Sequence, residues 1–146
     1  MEIFTIDCAK TPAVEFFGRL KTTGIRRLLD VRLNNTSQLA AYANRDDLKY
    51  FVSAIWDVTY EHEPLLTPTE DMLDAFKKRK GRWQVYDAHF MSLMAKRQID
   101  VKLKRDRFES TLIALLCREH IAEHCHRRLI ITYLQEKWLS VRAVHL

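Results

Sequence analysis

Short apolar runs alternate with amphipathic stretches along the whole of this chain, and few glycines or prolines interrupt them. Two runs are informative: Leu28, Leu29 and Val31, compact enough for a strand covered on both faces, and residues 112–117, the most apolar stretch and a candidate central strand. Together they point to an α/β protein, a three-layer α/β/α arrangement around a mostly parallel sheet of about five strands. With 146 residues and no linker, repeat or composition break, one domain spanning residues 1–146 is expected.

Each element has its own signal. Ile3, Phe4 and Ile6 read as a first strand, and Thr11-Pro12 then offers an N-cap followed by a proline at the first helical position. Val14, Phe17 and Leu20 recur every three residues along the helix so started, and Gly24 stands where a left-handed residue would end it. After the second strand, residues 33–43 are small and polar, a loop. Asn44 can cap the next helix, whose first turn holds Asp46 and Asp47 and whose apolar face is Leu48, Phe51, Val52 and Ile55. Residues 58–61 return to the sheet. Thr67-Pro68-Thr69-Glu70 reads as a capping box with proline at its first helical position, with Leu73 and Phe76 behind it. Trp83, Tyr86, Phe90, Leu93 and Met94 define a further helix in which the aromatics read as core. Leu129, Tyr133 and Leu134 belong to the helix after the central strand, and residues 141–144 form the last strand.

Composition narrows the functional classes. Hydrophobic residues are 47% and charged residues 29%, which excludes a disordered or fibrous chain. No apolar run reaches the roughly 18 residues of a spanning helix, and residues 1–10 lack a secretory pattern, so a cytoplasmic protein without membrane partners is expected. The net charge of +5 is unevenly spread: residues 77–107 hold 11 basic and 3 acidic side chains. Lys77, Lys78, Arg79, Lys80 and Arg82 form one cluster, and Lys102, Lys104, Arg105 and Arg107 another, a pattern that fits either a solvated surface or a steering field for phosphates. Cys8, Cys117 and Cys125 are an odd number, for which free thiols are the default expectation.

Ligands of open parallel sheets gather beyond the carboxyl ends of the strands. Four stretches qualify: Asp7-Cys8, Asp30-Val31-Arg32, Glu61 to Glu63, and residues 117–127, where two cysteines, three histidines and two arginines fall within eleven positions. If a helix starts near Cys125, its free N–H groups and positive dipole end favour an anion and a Cys125 thiolate, with His126 or His124 near enough to carry a proton. Cys117, His120, His124 and Cys125 also offer two sulfurs and two nitrogens to zinc, although C-x2-H-x3-H-C matches no common zinc layout. Structural roles compete with all of these: Cys117 and Cys125 as packing residues, Asp30 and Arg32 as a salt bridge. Other chemistries are excluded. Gly18, Gly24 and Gly81 cannot build a Walker loop or a dinucleotide fingerprint. No arginine stands six places after a cysteine, as a phosphatase loop needs, since those positions are Val14, Glu123 and Ile131; nor is there a G-x-S-x-G elbow.

Leu29-Asp30-Val31-Arg32, together with Leu116-Cys117-Arg118-Glu119 and Cys125-His126-Arg127, resembles the family catalogued as domain of unknown function 488, over nearly the whole chain. The resemblance implies a shared site of Asp30, Arg32, Cys117, Glu119, Cys125, His126 and Arg127. Members usually carry a Gly-His-Ser type turn after the first strand and a proline-rich, serine-arginine loop after Asp-Val-Arg. Here those places hold Asp7-Cys8-Ala9 and Leu33-Asn34-Asn35-Thr36-Ser37.

The leading expectation is binding of an anionic small molecule, a nucleotide or phosphorylated metabolite, with Arg32 and Arg127 neutralising the anion beside Asp30 and Cys117. Cysteine-dependent catalysis would use Cys125 as nucleophile, His126 as proton carrier and Glu119 as base or arginine-orienting group. The alternatives are a nucleic-acid-binding module built on residues 77–107 and a zinc-stabilised scaffold. No particular cofactor is indicated.

Overall fold

A computed structural model describes residues 1–36, 42–118 and 124–146. Five strands, β1 (Glu2–Asp7), β2 (Arg27–Asp30), β3 (Thr59–His62), β4 (Ile113–Cys117) and β5 (Arg142–His145), form one sheet in the order β3-β2-β4-β1-β5. Every pairing in it is parallel. Among the described residues no helix is long and apolar enough to cross a membrane.

The helices sort to the two faces by the period-two alternation of the strands. Leu28, Ala114, Leu116, Phe4 and Ile6 point to one face, where α1 (Ala13–Thr23) and α2 (Arg45–Trp56) bury Phe16, Leu20, Leu48 and Val52. Leu29, Val31, Ile113, Leu115 and Ile3 point to the other. That face is covered by α4 (Trp83–Arg97), the short α5 (Ile99–Lys102) and α6 (Arg105–Ser110), and α7 (His126–Lys137). The helix α3 (Glu70–Lys77) packs on α4. All five residues of β4 are buried, as a central strand covered on both faces requires.

Local chemistry explains the helix ends, with some shifts from the expected pattern. Asn44 caps α2 by accepting from the Asp46 N–H at 3.2 Å, and Gly24 ends α1 at φ 71°, a left-handed conformation that costs glycine nothing. Pro12 itself is the N-cap of α1, because the Thr11 hydroxyl donates instead to buried Asp7 at 3.0 Å. Thr69, not Thr67, caps α3 by accepting from Met72 N–H at 3.2 Å. Thr67 closes a preceding 3-10 turn, Pro64–Leu66, by donating to the Pro64 carbonyl at 2.9 Å. The buried face of α1 is Phe16 and Leu20, and Val14 is 84% exposed; on α2, Ile55 is 58% exposed while Leu48 and Val52 are buried.

The topology places the functional region. The connection after β1 passes over β4 to β2 on the α1 face, and the connection after β4 passes over β1 to β5 on the α7 face. Adjacent strands β1 and β4 therefore send their chains in opposite directions, which opens a crevice at their carboxyl ends.

Candidate functional site

Two polar groupings form at that edge, one under each face of the sheet. On the α1/α2 face Asp30, the last residue of β2, is fully buried and meets Arg32 in a two-pronged pair, Nε to Oδ1 and Nη2 to Oδ2, each at 2.8 Å. The Arg32 backbone N–H adds a donor to Oδ1 at 3.1 Å, and the Tyr60 hydroxyl donates to Oδ2. Arg32 also donates to the Ala43 carbonyl at 2.8 Å and toward Cys8 Sγ at 3.6 Å. Burial works against the guanidinium charge, but the Asp30 hydrogen bonds and charge outweigh it and hold the Arg32 pKa above its ordinary value. Burial, reinforced by the bond to Asp30, raises the Tyr60 hydroxyl, and burial raises the Cys8 thiol against the opposing pull of Arg32. Tyr42, whose hydroxyl donates to the Thr11 carbonyl, is pushed up to about 12, first by burial and then by the nearby Cys8 and Asp7 charges.

On the α7 face the grouping is sulfur and imidazole. Cys117, the last residue of β4, and Cys125, the N-cap of α7, are joined by a disulfide with Cα atoms 7.4 Å apart, and Cys8 is the free thiol. The expectation of free thiols at 117 and 125 is thereby corrected: the end of β4 and the start of α7 meet across the described edge, and eight positions of separation bring both sulfurs to one point. His126 stands beside them, 8% exposed, with Nδ1 3.7 Å from Cys117 Sγ and Nε2 2.7 Å from the Val31 carbonyl oxygen. A carbonyl only accepts, so Nε2 carries a hydrogen; in the neutral ring Nδ1, the nitrogen that faces the Cys117 sulfur, is then the one with the lone pair. Arg127, 2% exposed, faces Asp7 with Nη2 3.8 Å from Oδ2.

Above the sulfurs opens a cavity of about 550 Å³, large enough for a drug-sized ligand. Cys117, Cys125, His126 and Arg32 contribute to its floor. One wall is aromatic: α3 brings Phe76 and α4 brings Trp83 and Tyr86, with ring centroids 5.5 Å apart for Phe76 and Trp83 and 5.2 Å for the stacked Trp83 and Tyr86. His124 lies 5.2 Å from Trp83. Lys77, Lys78 and Arg118, all exposed, stand at the rim. Lys78 pairs with Asp74 at 3.4 Å, and Lys77 lies 5.6 Å from the Phe76 ring centre. The wall is tied to the preceding 3-10 turn by Arg97, whose Nη1 donates to the carbonyls of Leu65 at 2.8 Å and Thr67 at 2.6 Å.

The residues singled out in the sequence therefore converge on one edge but not on one role. Cys117, Cys125, His126 and Arg32 reach the cavity; Asp30 and Arg127 lie beneath it, each in a buried ion pair. Both arginines face carboxylates of the protein itself, Arg32 in a hydrogen-bonded pair with Asp30 and Arg127 at 3.8 Å from Asp7. Glu119 and His120 lie outside the described residues. Among the described residues the donor atoms that cluster, within 4.8 Å of one another, are those of Cys117, Cys125 and His126; His124 of the anticipated zinc set is not among them. Aromatics that the sequence reads as core form a cavity wall because Phe76 and Trp83 become neighbours when α3 folds back on α4. The turn between them is tight: a Cβ on Gly81 would come within 2.8 Å of the Ala75 carbonyl oxygen. The second basic cluster is largely engaged elsewhere, Arg105 with Glu109 at 2.7 Å and Arg107 with Glu61 at 3.2 Å.

Fold and site define an α/β protein with a ligand-sized cavity at the carboxyl edge of a parallel sheet, floored by a cysteine pair and a histidine. The chain belongs to the family described as "Domain of unknown function DUF488", whose model matches residues 12–134. No curated protein and no solved structure matches the chain.

Proposed function

We propose that the cavity binds a nucleotide or a related metabolite that carries both an aromatic ring and a phosphate. The observation that carries this reading is the juxtaposition, around one cavity, of a half-buried indole and three exposed cations. Trp83 offers a face for a base, while Lys77, Lys78 and Arg118 offer charge to a phosphate. The first turn of α7 contains no acidic residue, and its N–H groups add a favourable field at the floor. Asp30, Arg32 and Arg127 act in this reading as the buried frame beneath the ligand, not as its direct partners.

Thiol chemistry belongs to the reduced protein. Cys125 at the start of α7 is the proposed nucleophile, His126 the proton carrier and Glu119 the base or arginine-orienting group. The 3.7 Å approach of His126 Nδ1 to Cys117 makes that sulfur the second candidate nucleophile.

Calorimetric titration with AMP, ATP and GTP tests the binding reading. Trp83→Ala should weaken the interaction by about 1–3 kcal/mol, the usual worth of a base stacked on an aromatic ring. The double substitution Lys77→Glu, Lys78→Glu should weaken ATP more than AMP. Binding that neither variant alters, or no binding of any of the three, overturns the proposal.

A nucleic-acid ligand is the second reading, favoured by the fact that Lys77 and Lys78 of the denser basic cluster line this same cavity. A single-stranded dodecamer would then bind more tightly than any mononucleotide, with an affinity that falls steeply as salt rises.

A further inference from the structure

We infer that the reduced Cys117–Cys125 pair and His126 form a zinc site with one coordination position open to the cavity. The three donor atoms lie within 4.8 Å of one another and all three residues are buried. The spacing suits tetrahedral zinc. With Zn–S near 2.3 Å and Zn–N near 2.05 Å, a thiolate and an imidazole on one ion stand about 3.6 Å apart; Cys117 Sγ and His126 Nδ1 are 3.7 Å apart. Two thiolates sharing the ion stand about 3.8 Å apart, a gap that the 7.4 Å separation of the two Cα atoms accommodates.

The imidazole is prepared for the role. Its Nε2–H donates to the Val31 carbonyl at 2.7 Å, which fixes the tautomer, aims the Nδ1 lone pair at the sulfurs and supplies the outer hydrogen bond that zinc-binding histidines ordinarily have. Charge also favours the ion. Two thiolates, one neutral imidazole and Zn²⁺ sum to zero, so the site can stay buried without an uncompensated charge, whereas two bare thiolates there would be costly.

Occupation requires a reductant. A dithiol reduces the Cys117–Cys125 bond to two thiols and is itself oxidised to a disulfide; Zn²⁺ then displaces both thiol protons as two Zn–S bonds form. Three protein ligands leave a fourth position, on the side of the cavity that all three residues line, for water or a ligand oxygen. The metal and the thiol nucleophile compete for the same sulfurs, whereas nucleotide binding at the aromatic wall stands or falls separately.

Cobalt titration of phosphine-reduced protein under argon, with no nucleotide present, tests the site. The expected result is a thiolate-to-cobalt charge-transfer band and strong four-coordinate visible bands that saturate at one equivalent and disappear when zinc is added. Cys117→Ser, Cys125→Ser and His126→Asn should each weaken cobalt binding at least tenfold, and Cys8→Ser should leave it unchanged. A wild-type titration without the charge-transfer band overturns the inference without recourse to any variant. Equal loss in Cys8→Ser overturns the assignment of ligands.

Discussion

Asp30 and Cys117 end neighbouring strands of the same sheet, yet the groups around them differ in what they can still do. The Asp30 carboxylate receives both arms of Arg32, a backbone N–H and a phenol, and Arg32 in turn reaches a carbonyl and a sulfur. Such a cluster is satisfied from within. Around Cys117 a sulfur pair and an imidazole crowd together under a cavity, with Nε2 of the ring held by the Val31 carbonyl and Nδ1 facing the Cys117 sulfur. The contrast teaches that charge and burial alone do not mark a reactive site. Donor atoms gathered beneath an open cavity do.

The largest effect that would break this comparison lies in the saturated corner. Asp30→Ala leaves the Arg32 guanidinium buried without its partner and should cost about 3–5 kcal/mol of stability in urea unfolding. Asp30→Ala combined with Arg32→Met should cost less than Asp30→Ala alone, because the orphaned charge is removed as well. A double variant no more stable than the single would mean that Asp30 holds something other than Arg32.

In the sulfur corner the expected effect is smaller. The disulfide closes a short loop, with a sequence separation of 8, and reducing it should lower stability by about 2–3 kcal/mol. Thiol counting on the unfolded protein sharpens the point: Cys8 alone should react before reduction and all three cysteines after it. More than one reactive thiol in the oxidised protein would contradict the pairing.

A half-buried pair on the β2–β3 side of the sheet calibrates both. Arg27 holds Glu61 at 2.8 Å, and hydrogen bonding from Arg27 keeps the Glu61 carboxyl below its usual pKa against the effect of burial. A depressed carboxyl contributes stability above the unfolded pKa of about 4.3 and loses it as pH falls through the folded value. Glu61→Gln should therefore cost about 1 kcal/mol at pH 7, and the difference from wild type should shrink as the pH falls below about 4.3. A difference that does not shrink on acidification would assign the effect to packing instead.

How much of this could be read in advance varies with the reach of each interaction. Caps and strand signals are local, and Asn44, Gly24 and the apolar runs at Leu28 and residues 112–117 behave as their chemistry suggests. The three-residue recurrence of Val14, Phe17 and Leu20 fits a helix face as well as Phe16 and Leu20 do, and only the sheet decides between them; Val14 lost. At the site, the cluster around Cys125 was visible as composition, since the residue types were all present. Its partnerships were not, because the sulfur bond, the Val31 carbonyl beneath His126 and the meeting of Phe76 with Trp83 join residues through the tertiary fold.

The peptide oxygen of Val31 belongs to the link between Asp30 and Arg32, and it is also the acceptor that decides which nitrogen of His126 bears the hydrogen. The two faces of the sheet are therefore not insulated. By pinning that stretch of backbone, a carboxylate and a guanidinium on one flank determine where a proton rests on the other, so the inert half of the edge serves as the rigid mount for the half that can react.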